Sequence, residues 1–164
     1  MNAAFTLRQA SAADIPALTG LLAELFSIEQ DFSPDADRQA RGLAGVIANA
    51  NACVVVASDS AGAVIGMSSA QLVFSTAEGA WSAWVEDVVV AEAWRGCGLG
   101  RALLDRVLAW AAGRGATRAQ LLADLDNQPA LDFYRHLGWA ETRLAARRLA
   151  LAGPPPAPAS DAGD

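Results

Sequence analysis

Hydrophobic positions near the start of the chain follow two different periods. Leucine, isoleucine and phenylalanine recur at helical spacing between positions 15 and 26, directly behind Ser11-Ala12-Ala13-Asp14, which has the form of a capping box. This pattern predicts a helix with one buried face, and residues 5–8 predict a short strand before it. A second helix is expected at residues 37–49, where two glycines lower the helix propensity.

The middle of the chain has the pattern of consecutive strands. Apolar, largely β-branched runs at 53–57, 63–74 and 80–90 predict three strands joined by short turns. Apolar residues then return to helical spacing after a glycine-rich turn. The helix they predict ends at Gly113 and Gly115.

The last third predicts a strand, a helix and a further strand. The apolar run that begins at Leu121 is expected to form a strand ending at Asn127, which places Asn127 at a strand edge. Pro129 suits the first turn of a helix, and Gly138 suits its end. The predicted order is β-α-α-β-β-β-α-β-α-β, which indicates an α/β domain.

The turn after residues 80–90 contains three alternate glycines. Because glycine has no Cβ, the backbone N–H groups of such a turn can converge on an anion, and the following helix directs its positive end to the same place. Two flanking arginines can add charge-assisted bonds to phosphate oxygens. The pattern predicts a pyrophosphate site formed by Arg95, Gly96, Cys97, Gly98, Leu99, Gly100 and Arg101.

Spacing excludes two other kinds of phosphate loop. The dinucleotide fingerprint G-x-G-x-x-G fails, because its sixth position is Arg101 counted from Gly96 and Leu103 counted from Gly98. The Walker loop requires a lysine, and all twelve basic residues of this chain are arginines. What remains is R-x-x-G-x-G between a strand and a helix.

A second motif lies about thirty residues further on. Residues 127–139 have the form N-x-x-A-x-x-F-Y-x-x-x-G-W. Together the two motifs resemble the coenzyme A loop and the following helix of GNAT superfamily N-acetyltransferases, and the resemblance covers roughly residues 5 to 150. It implies the GNAT (acyl-CoA N-acyltransferase) fold, a mixed central sheet flanked by helices. It also implies transfer of an acetyl group from acetyl-CoA to a primary amine.

The same resemblance implies roles for single residues. In relatives, the backbone at the positions of Val88, Val89 and Val90 bonds the pantetheine arm and the acetyl carbonyl. Tyr134, the only tyrosine of the chain, stands where relatives carry the general acid that protonates the thiolate. Tyr134 and Asn127 are also expected to contact the cofactor.

The strand before the glycine turn resembles that of a smaller group within the superfamily. Residues 85–90 together with the turn resemble spermidine/spermine acetyltransferases and their diamine relatives, which carry L-E-D-x-x-V before R-G-x-G-I-G. Glu86 falls at the place of their base candidate, acting directly or through water. Strand alternation predicts that Glu86, Val88 and Val90 share one face and that Asp87 lies on the other. The expected acceptor is a small amine or a polyamine-like cation.

Charge and composition limit the partners. A net charge of −6 argues against nucleic acid, since phosphate neutralisation needs a basic face. Two cysteines and one histidine are too few for a metal cluster, so no metal is expected. Acidic residues are concentrated after the first predicted helix, where they form either a solvated loop or a rim that attracts an amine. They are Glu24, Glu29, Asp31, Asp35 and Asp37.

The chain of 164 residues suits one domain, expected at residues 1–152, with a Pro/Ala-rich tail at 153–164 that is expected to be disordered. No run of apolar residues is long enough to span a bilayer and no signal sequence is visible, so a cytoplasmic protein without a membrane partner is expected. The resemblance implies a homodimer. Two alternatives stay open: acetylation of proteins or peptides, and a regulatory module that binds acetyl-CoA without catalysis, which would not need Tyr134 and Glu86.

Overall fold

Strand β2 (Ala52–Ser58) is buried at every position, because helices cover both faces of the sheet around it. The protein is described from a computed structural model that covers residues 4–29 and 31–151. Over these residues the sheet has five strands, which lie side by side in the order in which they follow along the chain. The first four strands pair antiparallel, and the fifth pairs parallel to the fourth, so the sheet is mixed.

The elements agree with most of the predicted ones. The other strands are β1 (Thr6–Gln9), β3 (Val64–Ser75), β4 (Ala80–Val90) and β5 (Ala116–Gln120). The helices are α1 (Ile15–Ile28), α2 (Ala36–Ala48), α3 (Leu99–Gly113) and α4 (Gln128–His136). The predicted mixed sheet flanked by helices is therefore confirmed.

The core lies in two layers, one on each face of the sheet. Alternate residues of β2 point to opposite sides: Val55 packs in the layer beneath α3, and Val56 packs in the layer beneath α1 and α2. Leu103 of α3 and Leu18 of α1 are both fully buried. Each fully buried leucine contributes about 1.5–3 kcal/mol relative to an exposed one.

The N-terminal strand is tied to α1 by a charged cap. The Asp14 carboxylate accepts from the Ser11 N–H at 2.7 Å and pairs with the Arg8 guanidinium at 2.7 Å. The Arg8 hydrogen bond holds the pKa of Asp14 well below its usual range, against the opposing effect of burial. The predicted capping box is confirmed, and it fixes the direction in which α1 crosses the sheet.

One predicted strand is misplaced, and another is not found among the described residues. A strand does lie between α3 and α4, but it is β5 (Ala116–Gln120). The run beginning at Leu121 is a loop, and β5 ends seven residues before Asn127. Only Leu121 of this run packs against the core, whereas Leu122 is 60% and Leu125 is 84% exposed. The last predicted strand is also not found, since residues 139–151 contain no strand.

Three further expectations concern the chain as a whole. Among residues 4–29 and 31–151, none of the helices is long and apolar enough to cross a membrane. The same residues contain no group of three or more His, Cys, Asp or Glu side chains placed to hold a metal ion. The tail at 153–164 lies outside the described residues.

Candidate active site

Strand β4 contains a β-bulge at the acidic pair. Met67 of β3 pairs with Val89 and Ser69 pairs with Glu86, so that two residues of β4, Asp87 and Val88, stand opposite Ser68 alone. Asp87 has φ +48°, in the left-handed region that non-glycine residues rarely adopt. The extra residue breaks the alternation of the strand.

The bulge corrects the predicted assignment of faces. Val85, Val88 and Val90 contact the layer beneath α3, whereas Val89 packs in the layer beneath α1. Glu86 follows Val85 and therefore points to the α1 side, away from Val88 and Val90. The prediction that these three residues share a face is wrong, because one inserted residue exchanges the faces on either side of it.

Strand β4 is paired on one side only over its last six residues. Its pairing with β5 runs from Trp81 to Trp84 and stops there, because β5 ends at Gln120. Beyond Trp84, residues 85–90 bond β3, and none of the strands in residues 4–29 and 31–151 lies on their other side. Backbone N–H and C=O groups of Val88 to Val90 on this free edge can accept a ligand that lies along the strand.

The predicted glycine turn has the expected geometry. Gly96 has φ +76° and Gly98 has φ +86°, and a Cβ built at either position meets no atom within 4 Å. The open space lies directly before α3, whose first backbone N–H groups are unpaired within the helix. These features fit a pyrophosphate bound by the backbone.

Gly100 has a different reason for being glycine. A Cβ at this position would lie 3.2 Å from the ring of Phe133 and 3.7 Å from Val90. Because glycine has no Cβ, α4 packs closely on α3 at Phe133, the residue before Tyr134. Gly100 is thus a packing residue between the two motifs, in addition to its place in the predicted loop.

The side chains that flank the turn are engaged by the protein itself. Arg95 donates through Nε to the Val90 carbonyl at 3.0 Å and lies 4.0 Å from Glu24. Arg101 lies 3.6 Å from Asp105 one turn along α3. The exposed Cys97 donates its thiol to the Trp94 carbonyl at 2.9 Å. Both guanidinium groups are about half exposed or more, which leaves them accessible to phosphate oxygens.

Helix α4 carries the second motif. Asn127 is its N-cap, and the Asn127 side chain accepts from the Ala130 N–H at 3.2 Å. The prediction that Asn127 lies at a strand edge is therefore wrong. Tyr134 lies between two aromatic rings, 5.3 Å from Phe133 and 5.9 Å from Trp139 by ring centroid. Burial, followed by the charge of Glu29, raises the pKa of Tyr134 to about 12. Its hydroxyl therefore holds its proton at neutral pH, as a proton donor must.

The Glu86 carboxylate is exposed and oriented by two donors. Trp84 Nε1 donates to Glu86 Oε1 at 3.1 Å, and Gln71 Nε2 donates to Glu86 Oε2 at 3.4 Å. All three side chains lie on the face of the sheet that α3 does not cover. The carboxylate is thus held in place while it remains open to a substrate.

Asp87 is held differently. Ser69 donates through its hydroxyl to Asp87 Oδ2 at 3.3 Å, and Asp87 is partly buried. Burial, then the charge of Glu86 and more weakly that of Glu29, raises the pKa of Asp87 to about 6, against the opposing Ser69 bond. The two acids of the pair therefore differ in accessibility.

More carboxylates approach this group from other elements. Burial raises the pKa of Glu29, which follows α1, and the charges of Asp124 and Asp31 add to the effect. Glu29 in turn acts on Asp87 and Tyr134. We call these residues the acidic cluster: Glu29, Asp31, Glu86, Asp87 and Asp124.

The acidic residues that the sequence groups after the first helix have different partners in the structure. Glu24 pairs with Arg95 and Asp35 caps α2, whereas Glu29 and Asp31 join the acidic cluster. The sequence reasoning missed Ser69, Gln71 and Asp124. Ser69 and Gln71 approach through the pairing of β3 with β4, a contact between distant positions that no local pattern reveals.

Comparison with known proteins adds independent information. The model of the Acetyltransferase (GNAT) family matches residues 16–139. Aminoglycoside N(6')-acetyltransferase type 1 from Stenotrophomonas maltophilia is 30% identical over 140 residues, covering 84% of this chain and 87% of that protein. Serotonin N-acetyltransferase 2, chloroplastic, from Oryza sativa subsp. japonica is 36% identical over 94 residues, covering 57% of this chain and 43% of that protein. Neither name refers to a diamine acetyltransferase, so the diamine subtype stays a prediction.

Solved structures give the same architecture. The aminoglycoside N-acetyltransferase AAC(6')-Iy in complex with CoA superposes with a TM-score of 0.77 at 16% identity, over 91% of this chain and 96% of that one. At this identity the likeness shows the fold alone.

Proposed function

The chain belongs to the acetyltransferase (GNAT) family and is an N-acetyltransferase that uses acetyl-CoA, and from this premise we propose that its acceptor is a small primary amine carrying positive charge. The observation that carries the proposal is the acidic cluster, whose charges act on one another and on Tyr134. Such a group attracts a cation and concentrates it near the reacting atoms. The names of the two relatives refer to amine acceptors, an aminoglycoside and serotonin.

The cofactor contacts follow from the free edge and the glycine turn. We propose that the backbone of Val88, Val89 and Val90 bonds the pantetheine arm. The turn from Arg95 to Arg101 receives the pyrophosphate, and Asn127 contacts the cofactor from the start of α4. Acetyl-CoA supplies the acetyl group as a thioester when bound. The open space at Gly96 and Gly98 supports this placement.

Glu86 is the proposed base. An alkylammonium has a pKa of about 10.4, so the amine must lose a proton before it can attack. The Glu86 carboxylate, held by Trp84 and Gln71, accepts that proton directly or through one water. The amine nitrogen then forms a bond to the acetyl carbon and loses its second proton to solvent, and the carbon–sulfur bond breaks.

Tyr134 is the proposed acid. As the carbon–sulfur bond breaks, the Tyr134 hydroxyl donates its proton to the leaving sulfur, and the phenolate recovers a proton from solvent or from Glu86. Its raised pKa keeps the hydroxyl protonated until that step. The Tyr134 ring packs on Phe133, whose own ring lies against Gly100 at the start of α3, and this placement next to the proposed cofactor turn supports the assignment.

An acceptor screen tests the proposal. The purified chain is incubated with acetyl-CoA and a panel of aminoglycosides, diamines, monoamines, amino acids and peptides, and release of free thiol is followed. We expect turnover with small cationic amines and little with neutral peptides. Preference for a peptide or protein lysine would replace the small-amine proposal, and binding of acetyl-CoA without turnover on any amine would favour the regulatory module.

Two expectations about the whole protein stay predictions: that it is a homodimer and that it is cytoplasmic. Sedimentation velocity across a range of concentrations measures the first. A single species with the mass of one chain would contradict it.

A further inference from the structure

An arginine near the end of the described chain contacts the loop between α1 and α2. The Arg148 guanidinium lies 4.7 Å from the centroid of the Phe32 ring and 3.6 Å from the Asp31 carboxylate. It also donates to the Asp31 carbonyl at 3.3 Å. We call these three residues the clasp. It joins the segment after α4 to the loop after α1, although the residues are more than a hundred positions apart in sequence.

The clasp adjoins the end of α1 that carries Glu29. Glu29 is the C-cap of α1 and Asp31 follows it by two residues. The charge of Asp31 raises the pKa of Glu29, and the charge of Glu29 in turn raises the pKa values of Asp87 and Tyr134. The Phe32 ring is packed against Phe26 of α1, with centroids 5.4 Å apart. One side of the clasp is therefore supported by a helix that also packs against the sheet beneath the site.

Asp31 and Phe32 together form a recognition position for a cation. A carboxylate supplies charge, and the face of an aromatic ring attracts a cation through its quadrupole. A guanidinium from the chain itself now fills this position. An ammonium group of a substrate has the same charge and would make the same two kinds of contact.

The Arg148 contact is weak enough to be exchanged. The side chains of Arg148 and Asp31 are 59% and 78% exposed, and exposed ion pairs contribute little. A bound substrate with a second positive charge would therefore replace Arg148 at low cost. A monocationic substrate carries its one charge on the reacting amine, so it has no second cationic group that could replace Arg148.

We propose that Asp31 and Phe32 bind the second positive charge of a dicationic acceptor, and that Arg148 occupies this position until the acceptor displaces it. The inference deepens the proposed function and rests on it. Arg148 thereby weakens the binding of dicationic acceptors in particular, because it competes with their second positive charge and does not compete with the reacting amine. Arg148 is a specificity-determining residue in this scheme, and it takes no part in bond making.

The chain offers a matched control at the neighbouring position. Arg147 donates only to the carbonyl of Ala146, beside it in sequence. Arg147→Ala removes the same charge from the same segment without touching the clasp. It therefore separates the effect of net charge from that of the contact.

The test compares diaminohexane with hexylamine as acceptors for the acetyl-CoA-loaded protein. In Arg148→Ala we expect the ratio of the KM for diaminohexane to the KM for hexylamine to fall by about threefold to tenfold, the combined worth of an exposed ion pair and a cation–π contact. Arg147→Ala should leave the ratio at its wild-type value. In an Asp31→Asn background, Arg148→Ala should bring a smaller gain, since the contested carboxylate is gone and only the contact with Phe32 is left.

Calorimetry gives a readout that does not depend on turnover. Diaminohexane is titrated into the CoA-saturated protein, and tighter binding is expected in Arg148→Ala than in Arg147→Ala. If no amine is acetylated, the proposed function fails while this measurement still tests the clasp. Equal diaminohexane affinity in the two variants, or an equal shift for both amines, would overturn the clasp as a specificity device.

Discussion

The proposed cofactor side and the proposed acceptor side of this site are built from different parts of the protein. The proposed cofactor side consists mainly of backbone: a strand edge that has no partner among the described residues and a turn in which Gly96 and Gly98 adopt positive φ. The proposed acceptor side consists of carboxylates brought by α1, β4 and the loop before α4. In this proposal the cofactor, which the whole family shares, is bound mainly by main chain, and the acceptor is bound by side chains that can change without altering the fold.

The largest effect is expected from adding a side chain to the glycine turn. Gly98→Val places a β-branched residue at φ +86°, in space that a ligand needs, and should abolish acetyl-CoA binding as measured by calorimetry. Gly62→Val is the matched control. Gly62 also has φ +86° and open surroundings, but lies in the turn between β2 and β3.

Both glycine variants should lose similar stability, about 1–2 kcal/mol from the left-handed backbone. Only Gly98→Val should lose the cofactor. Wild-type affinity in the folded Gly98→Val protein would remove the pyrophosphate assignment.

The next largest effect is expected at the residue where the two sides meet. Tyr134→Phe removes one hydroxyl and leaves the ring packing with Phe133 and Trp139 in place. Turnover should fall by about 10²–10⁴-fold, the usual worth of a positioned proton donor, while acetyl-CoA affinity persists. Steady-state kinetics and calorimetry on the same preparation separate the two. Unchanged turnover would assign protonation of the thiolate to water or another group.

Glu86→Gln tests the acceptor side alone. The amide oxygen can still accept from Trp84, so the change removes the base with little change in shape. The rate should fall by about 10²-fold at pH 7 and recover as the pH approaches the pKa of the amine, about 10.4, because the substrate then arrives neutral. A small defect that is constant with pH would show that Glu86 is only a neighbour of the reaction.

Asp87→Asn should have the smallest effect on turnover and a distinct effect on stability. Because the pKa of Asp87 is about 6 when folded and 3.8 in the reference state, the folded protein binds this proton more tightly. Stability is therefore lost as the pH rises from about 4 through 6. At pH 7 Asp87→Asn should be more stable than the wild type by at most about 3 kcal/mol, and the difference should vanish below pH 3.8.

Urea denaturation at a series of pH values measures the difference, and asparagine tolerates the left-handed backbone at this position. A lower stability at pH 7 would mean that the Asp87 carboxylate is bound favourably as an anion. If Asp87→Asn alone shows the pH-dependent rate defect expected for Glu86→Gln, the base must be reassigned to Asp87.

The contrast between the two sides also explains what the sequence could predict. The glycine turn, the capping box before α1, and the proline and glycine at the two ends of α4 depend on neighbouring residues, so local pattern was sufficient. The loop before α4 was mistaken for a strand because leucines suggested burial. There, the Asp124 carboxylate accepts from the Asp126 N–H at 2.9 Å, and the Asp124 carbonyl accepts from the Asn127 N–H at 3.1 Å. These bonds form a turn.

The acidic cluster was only partly predictable for a related reason. Glu29 and Asp31 were visible as an acidic stretch, but the stretch does not indicate which of its members approach Tyr134. That selection depends on how α1 packs on the sheet and on the register of β3 against β4. Both are contacts between distant segments, and a single sequence carries no pattern for them.

The extra residue in β4 adds an acid to the strand without changing the faces on which its neighbours lie. When Asp87 is left out, Val85, Glu86 and Val88 to Val90 alternate between the two layers without a break, which is also how they lie with Asp87 present. Deleting Asp87 would therefore leave Val85 and Val88 beneath α3 and Glu86 on the opposite side, with Val88 alone opposite Ser68. A change in the length of β4 at this one position can add or remove a second carboxylate beside Glu86, while the apolar core and Glu86 itself stay in place.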